Sequence, residues 1–317
     1  MKLVYLSCNE DFVCLAGACP DTCCRDWEIA LDEPALEFYR SAPGALGEEV
    51  RAQITDDDGP CFQLKGGYCP LLDEQGLCRI QKAWGAEALT QNCDYFPRFY
   101  EIYGGTTELS LSLACPEAAR RLLQDKSLQL ITKDDGKPVT EINTLDPDLY
   151  IGLRLLRSQM FAFLKGKDDF FTRMAKLDAL AKKAQGEINR GSYSVLRNLR
   201  EPRRLPWIRV EPKKLVDFFA GLSILRPDWV DLLNRQPERE ADVNAAERML
   251  YYHVFRYALK AVVDDRLYPR IHAGVLAAQL VLQLTACGVD PVDALYRYSR
   301  EVEHDPENFE KLLNCPL

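Results

Sequence analysis

Phe12-Val13-Cys14-Leu15-Ala16-Gly17-Ala18-Cys19-Pro20-Asp21-Thr22-Cys23-Cys24-Arg25-Asp26-Trp27 carries four sulfurs within eleven residues. Cys8 stands ahead of this run, and Cys61, Cys69, Cys78, Cys93 and Cys115 follow it. Ten of the twelve cysteines therefore fall in the first 115 residues, and only Cys287 and Cys315 lie elsewhere. Thiolates are soft ligands that select zinc or iron–sulfur clusters. The N-terminal part of the chain is expected to be organised around a metal, with Gly17 and Pro20 helping the backbone turn about it. The candidate ligands are Cys14, Cys19, Cys23, Cys24, Cys61, Cys69, Cys78, Cys93 and Cys115. Nine sulfurs exceed the four that one tetrahedral ion or one cubane requires. Either two centres exist or some of these are buried structural thiols. Vicinal side chains project in different directions, so Cys23 and Cys24 suit a cluster of several irons better than one zinc ion. Cys8, Cys287 and Cys315 read as free thiols.

Composition places the chain among soluble proteins: 317 residues, 47% hydrophobic and 28% charged, enough for a full core and for two domains. The apolar start, Met1 to Leu6, is too short for a signal peptide. The longest apolar stretch, Ile271 to Cys287, is interrupted by His272, Gln279, Gln283 and Thr285 and reads as a buried core helix. A cytoplasmic location is expected, where thiols stay reduced and clustered cysteines mean metal or catalysis. The net charge of −8 is uneven: residues 1–120 hold 9 Lys/Arg against 20 Asp/Glu, and the remainder 31 against 28. So acidic a half lacks the basic footprint that a phosphate backbone needs, which argues against nucleic acid. Residues 182–214 carry ten basic and three acidic side chains. They read as a solvated face, or as a docking surface for an acidic protein. No membrane partner is expected, and self-association is left open.

Along the chain, a short strand at 27–31 leads into a helix capped by Asp32 with Pro34 in its first turn. Short strands or turns are expected around Cys61 and Cys78, with Gly66, Gly67 and Gly76 at positive φ. A helix is expected over Ile80–Leu89, a strand over Glu108–Leu113, and a helix from Cys115-Pro116 to Leu123. From Asp146-Pro147 onward the pattern is helical. A second helix follows Asp168, one helical face joins Leu250, Val254, Tyr257, Ala258 and Ala261, and Asp290-Pro291 and Asp305-Pro306 open two closing helices. The expected fold is α+β: an irregular, metal-centred, cysteine-rich domain over 1–125, packed on a mostly α-helical domain over 126–317. Thr132–Thr140 is the best boundary segment.

Four blocks in order resemble the bacterial flagellin lysine N-methylase family, which sits within a wider group of zinc- or iron-chelating cysteine-cluster proteins. They are Cys19-Pro20-Asp21-Thr22-Cys23-Cys24-Arg25-Asp26-Trp27-Glu28-Ile29 with Phe12-Val13-Cys14; Cys69-Pro70-Leu71-Leu72-Asp73 to Gly76-Leu77-Cys78-Arg79-Ile80-Gln81; Cys93-Asp94-Tyr95-Phe96-Pro97-Arg98; and Glu108-Leu109-Ser110-Leu111 with Cys115-Pro116-Glu117-Ala118-Ala119. The likeness covers roughly residues 12–122. It implies transfer of methyl groups from S-adenosylmethionine to flagellin lysines by an enzyme that carries a 4Fe–4S cluster. The family usually has Gly between the paired cysteines and the Trp, where this chain has Asp26. The residues themselves show neither a G-x-G-x-x-G after a strand nor the C-x3-C-x2-C of radical enzymes, since Asp26 occupies the third position. No catalytic base or cofactor-binding residue can be named. The other reading is a non-enzymatic iron- or zinc-binding protein that contacts a protein partner.

Remaining aromatic and imidazole residues read as structural. Trp27 and Trp84 are expected to pack, Tyr95-Phe96-Pro97-Arg98 to flank a ligand loop, and His253, His272 and His304 to be surface or satisfied helix residues.

Overall fold

The structure, a computed structural model, describes residues 1–56, 59–134, 136, 145–200, 205–206 and 208–317. Its strands are β1 (Lys2–Leu6), β2 (Ile29–Ala30), β3 (Ile54–Thr55), β4 (Cys61–Phe62), β5 (Arg98–Tyr103), β6 (Thr106–Leu111) and β7 (Leu130–Asp134). The N-terminal helices are α1 (Glu33–Ser41), α2 (Gly44–Ala52), α3 (Arg79–Trp84), α4 (Gln91–Tyr95) and α5 (Pro116–Gln124). The helical body holds α6 (Pro147–Leu164), α7 (Phe170–Ile188), α8 (Pro212–Ala220), α9 (Asp228–Leu233), α10 (Val243–Tyr257), α11 (Ala261–Asp264), α12 (Leu267–Ala286), α13 (Pro291–Tyr298) and α14 (Pro306–Leu313). The α+β class is as expected, with the C-terminal region helical.

Two sheets divide the N-terminal part. The larger has the order β5-β6-β1-β7, with β1 parallel to β6 and antiparallel to β7. Its hairpin β5–β6 turns on Gly104-Gly105, and Gly104 takes φ +57°, a conformation open to glycine at little cost. The smaller sheet, β2-β4-β3, pairs Ile29 and Ile54 on either side of Phe62. β7 lies beyond residue 125, so the larger sheet draws on chain from both sides of that position. Of the expected boundary segment, residues up to Asp134 belong to β7, and Asp135 and 137–140 lie outside the described residues.

Aspartate caps set six of the fourteen helix starts among the described residues. Asp32, Asp146, Asp242, Asp290 and Asp305 each accept hydrogen bonds from first-turn amides, as the Asp-Pro pairs predict for α6, α13 and α14. The helix after Asp168 begins one residue later, because Asp169 is the side chain that accepts from Thr172 N. The expected helix over Ile80–Leu89 is divided: Gly85, at φ +86°, ends α3, and a 3-10 turn covers Ala86–Ala88. The face joining Leu250 to Ala261 is buried throughout, yet α10 stops at Tyr257 and a 3-10 turn precedes α11. The apolar helix α12 is buried almost end to end. No helix among the described residues is long and apolar enough to cross a membrane.

The main core joins Val4, Leu6 and Tyr103 of the larger sheet, and Leu113 just beyond β6, to Leu153, Met160, Leu177, Val275 and Tyr298 of the helical body. A separate, smaller core forms around the smaller sheet from Ile29, Leu36, Tyr39, Val50, Phe62, Leu71 and Ile80. At the sheet–helix contact Glu108 faces inward and is gripped by Arg157, whose Nη1 and Nη2 donate to its two oxygens at 2.8 and 2.5 Å. Arg157 Nη1 also donates to the Phe255 carbonyl at 3.1 Å, and both side chains are buried.

Removing one partner of such a pair strands the other charge in the core. Arg157→Met is expected to destabilise the protein by roughly 3–5 kcal/mol. Pairing it with Glu108→Leu should restore much of that loss. Urea denaturation of the three variants measures both effects, and a loss for Arg157→Met below about 1 kcal/mol would show that the pair does not anchor the sheet.

Candidate metal centre

Four of the candidate ligands converge on the smaller core. Asp73 builds a tight turn by accepting from Gln75 N at 2.9 Å and Leu77 N at 2.8 Å, with Gly76 at φ +72°. That turn folds Cys78 back toward Cys69, and Arg79 N donates to Leu71 O at 2.9 Å. Cys69 N donates to the Cys24 carbonyl at 2.8 Å, which ties the first cysteine block to the second. Thr90 donates its hydroxyl to Asp32 Oδ2 at 2.7 Å and opens α4, which carries Cys93. Cys24, Cys69, Cys78 and Cys93 thereby line one small cavity, walled mainly by Ile29, Tyr39, Phe62, Leu71, Ile80 and Leu89.

Burial pushes the Cys69 thiol up to about 12 and raises Cys78 and Cys93 as well; charge on any one of the four opposes charge on its neighbours. The set releases its protons most readily to a cation that replaces them. Four thiols on apolar walls form a soft donor set suited to a thiophilic group. Among the described residues, no three Cys, His, Asp or Glu side chains are placed to grip a single ion.

The other candidates divide. Cys61 does not line this cavity: its strand neighbour Phe62 does, and alternation along β4 turns the Cys61 sulfur to the other face, 3.2 Å from Thr55 Oγ1. Cys14 and Cys19 flank a 3-10 turn at Ala16–Ala18, and the Cys14 sulfur accepts from Ala16 N at 3.4 Å. Cys115 precedes α5 and packs with Phe12, Leu111 and Ala118 in a third apolar cluster. Burial lifts its thiol to about 11, with charge on Cys19 and Cys14 adding to the rise. Cys23 is exposed, its sulfur 4.0 Å from that of Cys24. Of the expected free thiols, Cys8 is buried and donates to Asn9 Oδ1, and Cys287 donates to Arg235 O at 3.0 Å.

The loop bearing the vicinal pair is clamped by the helical body. A π-helical turn, Ser299–Glu303, presents Arg300, which donates to Thr22 O at 3.0 Å and Arg25 O at 2.7 Å and stacks 3.9 Å from the Trp27 ring centroid. Arg226 Nη1 meets Asp21 at 2.8 Å and its Nε meets Asp26 at 2.5 Å. Tyr296 donates its hydroxyl to Asp21. His304 stacks on the other side of the junction, 5.1 Å from Trp27, with Nε2 2.6 Å from Ser112 Oγ. The Cys24 thiol is lowered, because the contact from the Cys23 thiol, the Thr22 hydroxyl and the Arg300 charge together outweigh its burial.

Asp26 itself sits at φ +74°. That conformation favours glycine, the residue usual at this position in the family that the motif resembles, and Asp is among the few side chains that tolerate it. Its carboxylate is held by Arg226 and by Arg25 Nε at 3.0 Å. Sequence patterning did not single out Arg226, Tyr296 or Arg300, and it read His304 only as a surface or satisfied helix residue; all four lie some two hundred residues or more from the loop they hold. The basic segment that did stand out is engaged locally: Arg190 pairs with Glu187, Arg197 with Asp148 and Lys213 with Asp217. Its Arg203 and Arg204 lie outside the described residues.

Comparison with known proteins identifies relatives. The chain is 37% identical to the flagellar biosynthetic protein FliU of Salmonella muenchen over 122 residues, 36% of this chain and 72% of that protein. It is 34% identical over 130 residues to the lysine-N-methylases of Salmonella typhimurium and Salmonella choleraesuis, 38% of this chain and 32% of each. The chain thus spans about a third of the length of those two relatives. No protein-family model matches it. No solved structure matches it. The chain belongs to the flagellin lysine N-methylase family.

The φ of Asp26 separates backbone strain from ion pairing. Asp26→Gly and Asp26→Ala both release Arg226, but only alanine must bear the left-handed conformation. Asp26→Ala is expected to be less stable than Asp26→Gly by about 1 kcal/mol in urea denaturation. Equal stabilities would mean that the loop relaxes to negative φ once the carboxylate is gone.

Proposed function

We propose that this protein transfers methyl groups from S-adenosylmethionine to lysines of flagellin, and that Cys24, Cys69, Cys78 and Cys93 hold a 4Fe–4S cluster. The observation that carries the activity is the likeness to the Salmonella lysine-N-methylases, with FliU linking the family to the flagellum. Because the chain spans only part of those enzymes, their activity, substrate and cofactor come to it as parts of this proposal.

The cluster reading rests on the donor set. A single zinc ion needs four sulfurs at about 2.3 Å, hence within roughly 4 Å of one another. The nine candidate sulfurs are more than one such ion takes. A cluster offers a separate iron to each thiolate and accepts a wider ring of ligands. When bound, it would supply redox or structural chemistry at the foot of the clamped loop.

Methyl transfer by displacement needs a lysine amine that has lost its proton. The nitrogen lone pair then forms the new N–C bond as the methyl–sulfur bond breaks, and the electron pair leaves with S-adenosylhomocysteine. The acidic balance of residues 1–120 favours the approach of both the sulfonium and a lysine side chain. Desolvation near the protein surface lowers the lysine pKa toward the neutral form.

Incubation with flagellin and S-adenosylmethionine, without reductant, is expected to yield lysines heavier by one methyl. Strict dependence on a low-potential reductant, with release of a deoxyadenosyl product, would replace displacement by radical chemistry. Flagellin binding that needs metal, with no methylation under either condition, would favour the non-enzymatic reading. Anaerobic preparations should be brown and contain iron and acid-labile sulfide, which Cys93→Ser removes. Colourless protein with stoichiometric zinc would sink the cluster.

A further inference from the structure

We propose that Cys23 and Cys24 are a vicinal dithiol that closes into a reversible disulfide by exchange with a small-molecule disulfide, and that closure withdraws Cys24 from the cavity it lines. The two sulfurs lie 4.0 Å apart, and no other two cysteine sulfurs among the described residues share a hydrogen bond. A disulfide needs about 2.05 Å between its sulfurs, so closure asks for roughly 2 Å of side-chain movement. The members of the pair differ in access. Cys23 is exposed, whereas Cys24 is half-buried and shares the cavity wall with Cys69, Cys78 and Cys93. An open thiol that meets the reagent, beside a sheltered one that completes the bond, is the arrangement that thiol–disulfide exchange uses.

The backbone on either side of the pair is held. Arg300 donates to Thr22 O at 3.0 Å and to Arg25 O at 2.7 Å. Cys24 N donates to Thr22 Oγ1 at 3.1 Å, and the Cys24 carbonyl accepts from Cys69 N at 2.8 Å. The loop is thus not free to splay the sulfurs apart or to carry Cys23 to a distant partner. A bridge between neighbouring residues closes a small ring through their shared peptide, and its strain makes it more easily reduced than a structural disulfide. In the forward step the Cys23 thiolate attacks one sulfur of the incoming disulfide. The reagent's S–S bond breaks, one thiol leaves with the electron pair, and Cys23 carries the other half. The Cys24 thiolate then attacks the Cys23 sulfur and expels the second thiol. The cysteines lose two electrons and two protons, and the two released thiols take them up; excess thiol runs the sequence backwards. A Cys24 sulfur bonded to Cys23 has no thiolate to offer a metal, so the closed bridge and a metal held through Cys24 exclude one another. This exclusion rests on reading the cavity as a metal centre; the exchange itself does not.

The full chain, purified without oxygen, is treated with oxidised glutathione, blocked with an alkylating reagent and examined by mass spectrometry, with iron measured alongside. The wild type is compared with Cys23→Ser, Cys24→Ser and Cys93→Ser, the last being metal-free on the cluster reading. Cys23 is exposed, so its serine variant keeps the packing intact. The expected product is lighter by two hydrogen atoms, lacks two alkylatable thiols and fragments with the bridge between Cys23 and Cys24. Dithiothreitol should restore both thiols. Cys24→Ser is expected to stop at the mixed disulfide, heavier by one glutathione on Cys23, and Cys23→Ser to leave Cys24 unbridged. In iron-loaded wild type, iron should fall in step with bridge formation. A bridge that forms in Cys93→Ser but not in iron-loaded wild type shows the same exclusion from the metal's side. Iron-loaded wild type that closes the bridge with its iron unchanged would refute the withdrawal of Cys24. Cys23 and Cys24 still alkylatable in both the wild type and Cys93→Ser, or a bridge from either to a third cysteine, would overturn the pair. Wild type that closes the bridge and holds no metal supports the dithiol and counts against the cluster alone.

Discussion

The Arg300 guanidinium, held between the carbonyls of Thr22 and Arg25 and 3.9 Å from the Trp27 ring centroid, is the contact on which the cysteine-rich part depends. That part has only a small apolar core of its own, and a core of this size rarely holds a long irregular loop in one conformation. Arg300 and Arg226 supply the missing constraint from the helical body. They grip the loop through backbone oxygens and through Asp21 and Asp26, so the grip is insensitive to most side chains between. Three guanidinium groups, Arg25, Arg226 and Arg300, face two carboxylates at this junction. The surplus positive charge lies beside Cys24, where it stabilises the thiolate form.

The π-helical turn that carries Arg300 also carries Glu301 and Glu303. Glu301 accepts from Leu225 N at 2.8 Å and Arg226 N at 3.1 Å, which fixes the backbone of the second arginine of the clamp. Glu303 receives the Tyr257 hydroxyl at 2.7 Å and Tyr252 at 3.3 Å from α10. One widened turn therefore joins the loop, the segment before α9 and the central helix α10. Such turns commonly mark functional positions in helices, because the extra residue re-aims side chains that a regular helix would point elsewhere. In this protein the re-aimed side chain is the one that touches the cysteine loop.

Local chemistry was legible in the sequence; long-range pairing was not. The Asp-Pro caps of α6, α13 and α14, the burial of α12 and the strand predicted over Glu108–Leu113, observed as Thr106–Leu111, follow from rules acting over a few residues. β1 was missed because its partners, β6 and β7, come from positions a hundred residues and more away. Glu108 fitted a polar position of an alternating strand, yet it is turned inward because Arg157 meets it there. The nine candidate sulfurs were visible as a set. Their separation into a lined cavity, a neighbouring group and an outlying Cys61 was not, since spacing along the chain says nothing of which apolar cluster each one joins.

Asp26 shows how a local departure and a distant residue are linked. A position that needs φ near +74° is ordinarily filled by glycine, which carries no side chain to be satisfied. Placing Asp there costs backbone strain of roughly 1 kcal/mol and sets a carboxylate at the junction. Arg226 answers it with a hydrogen-bonded ion pair at 2.5 Å, largely shielded from solvent. The carboxylate is thus engaged by three guanidinium groups, Arg226 at 2.5 Å, Arg25 at 3.0 Å and Arg300 at 3.7 Å. The substitution preserves the turn and adds a tether between the two parts of the chain.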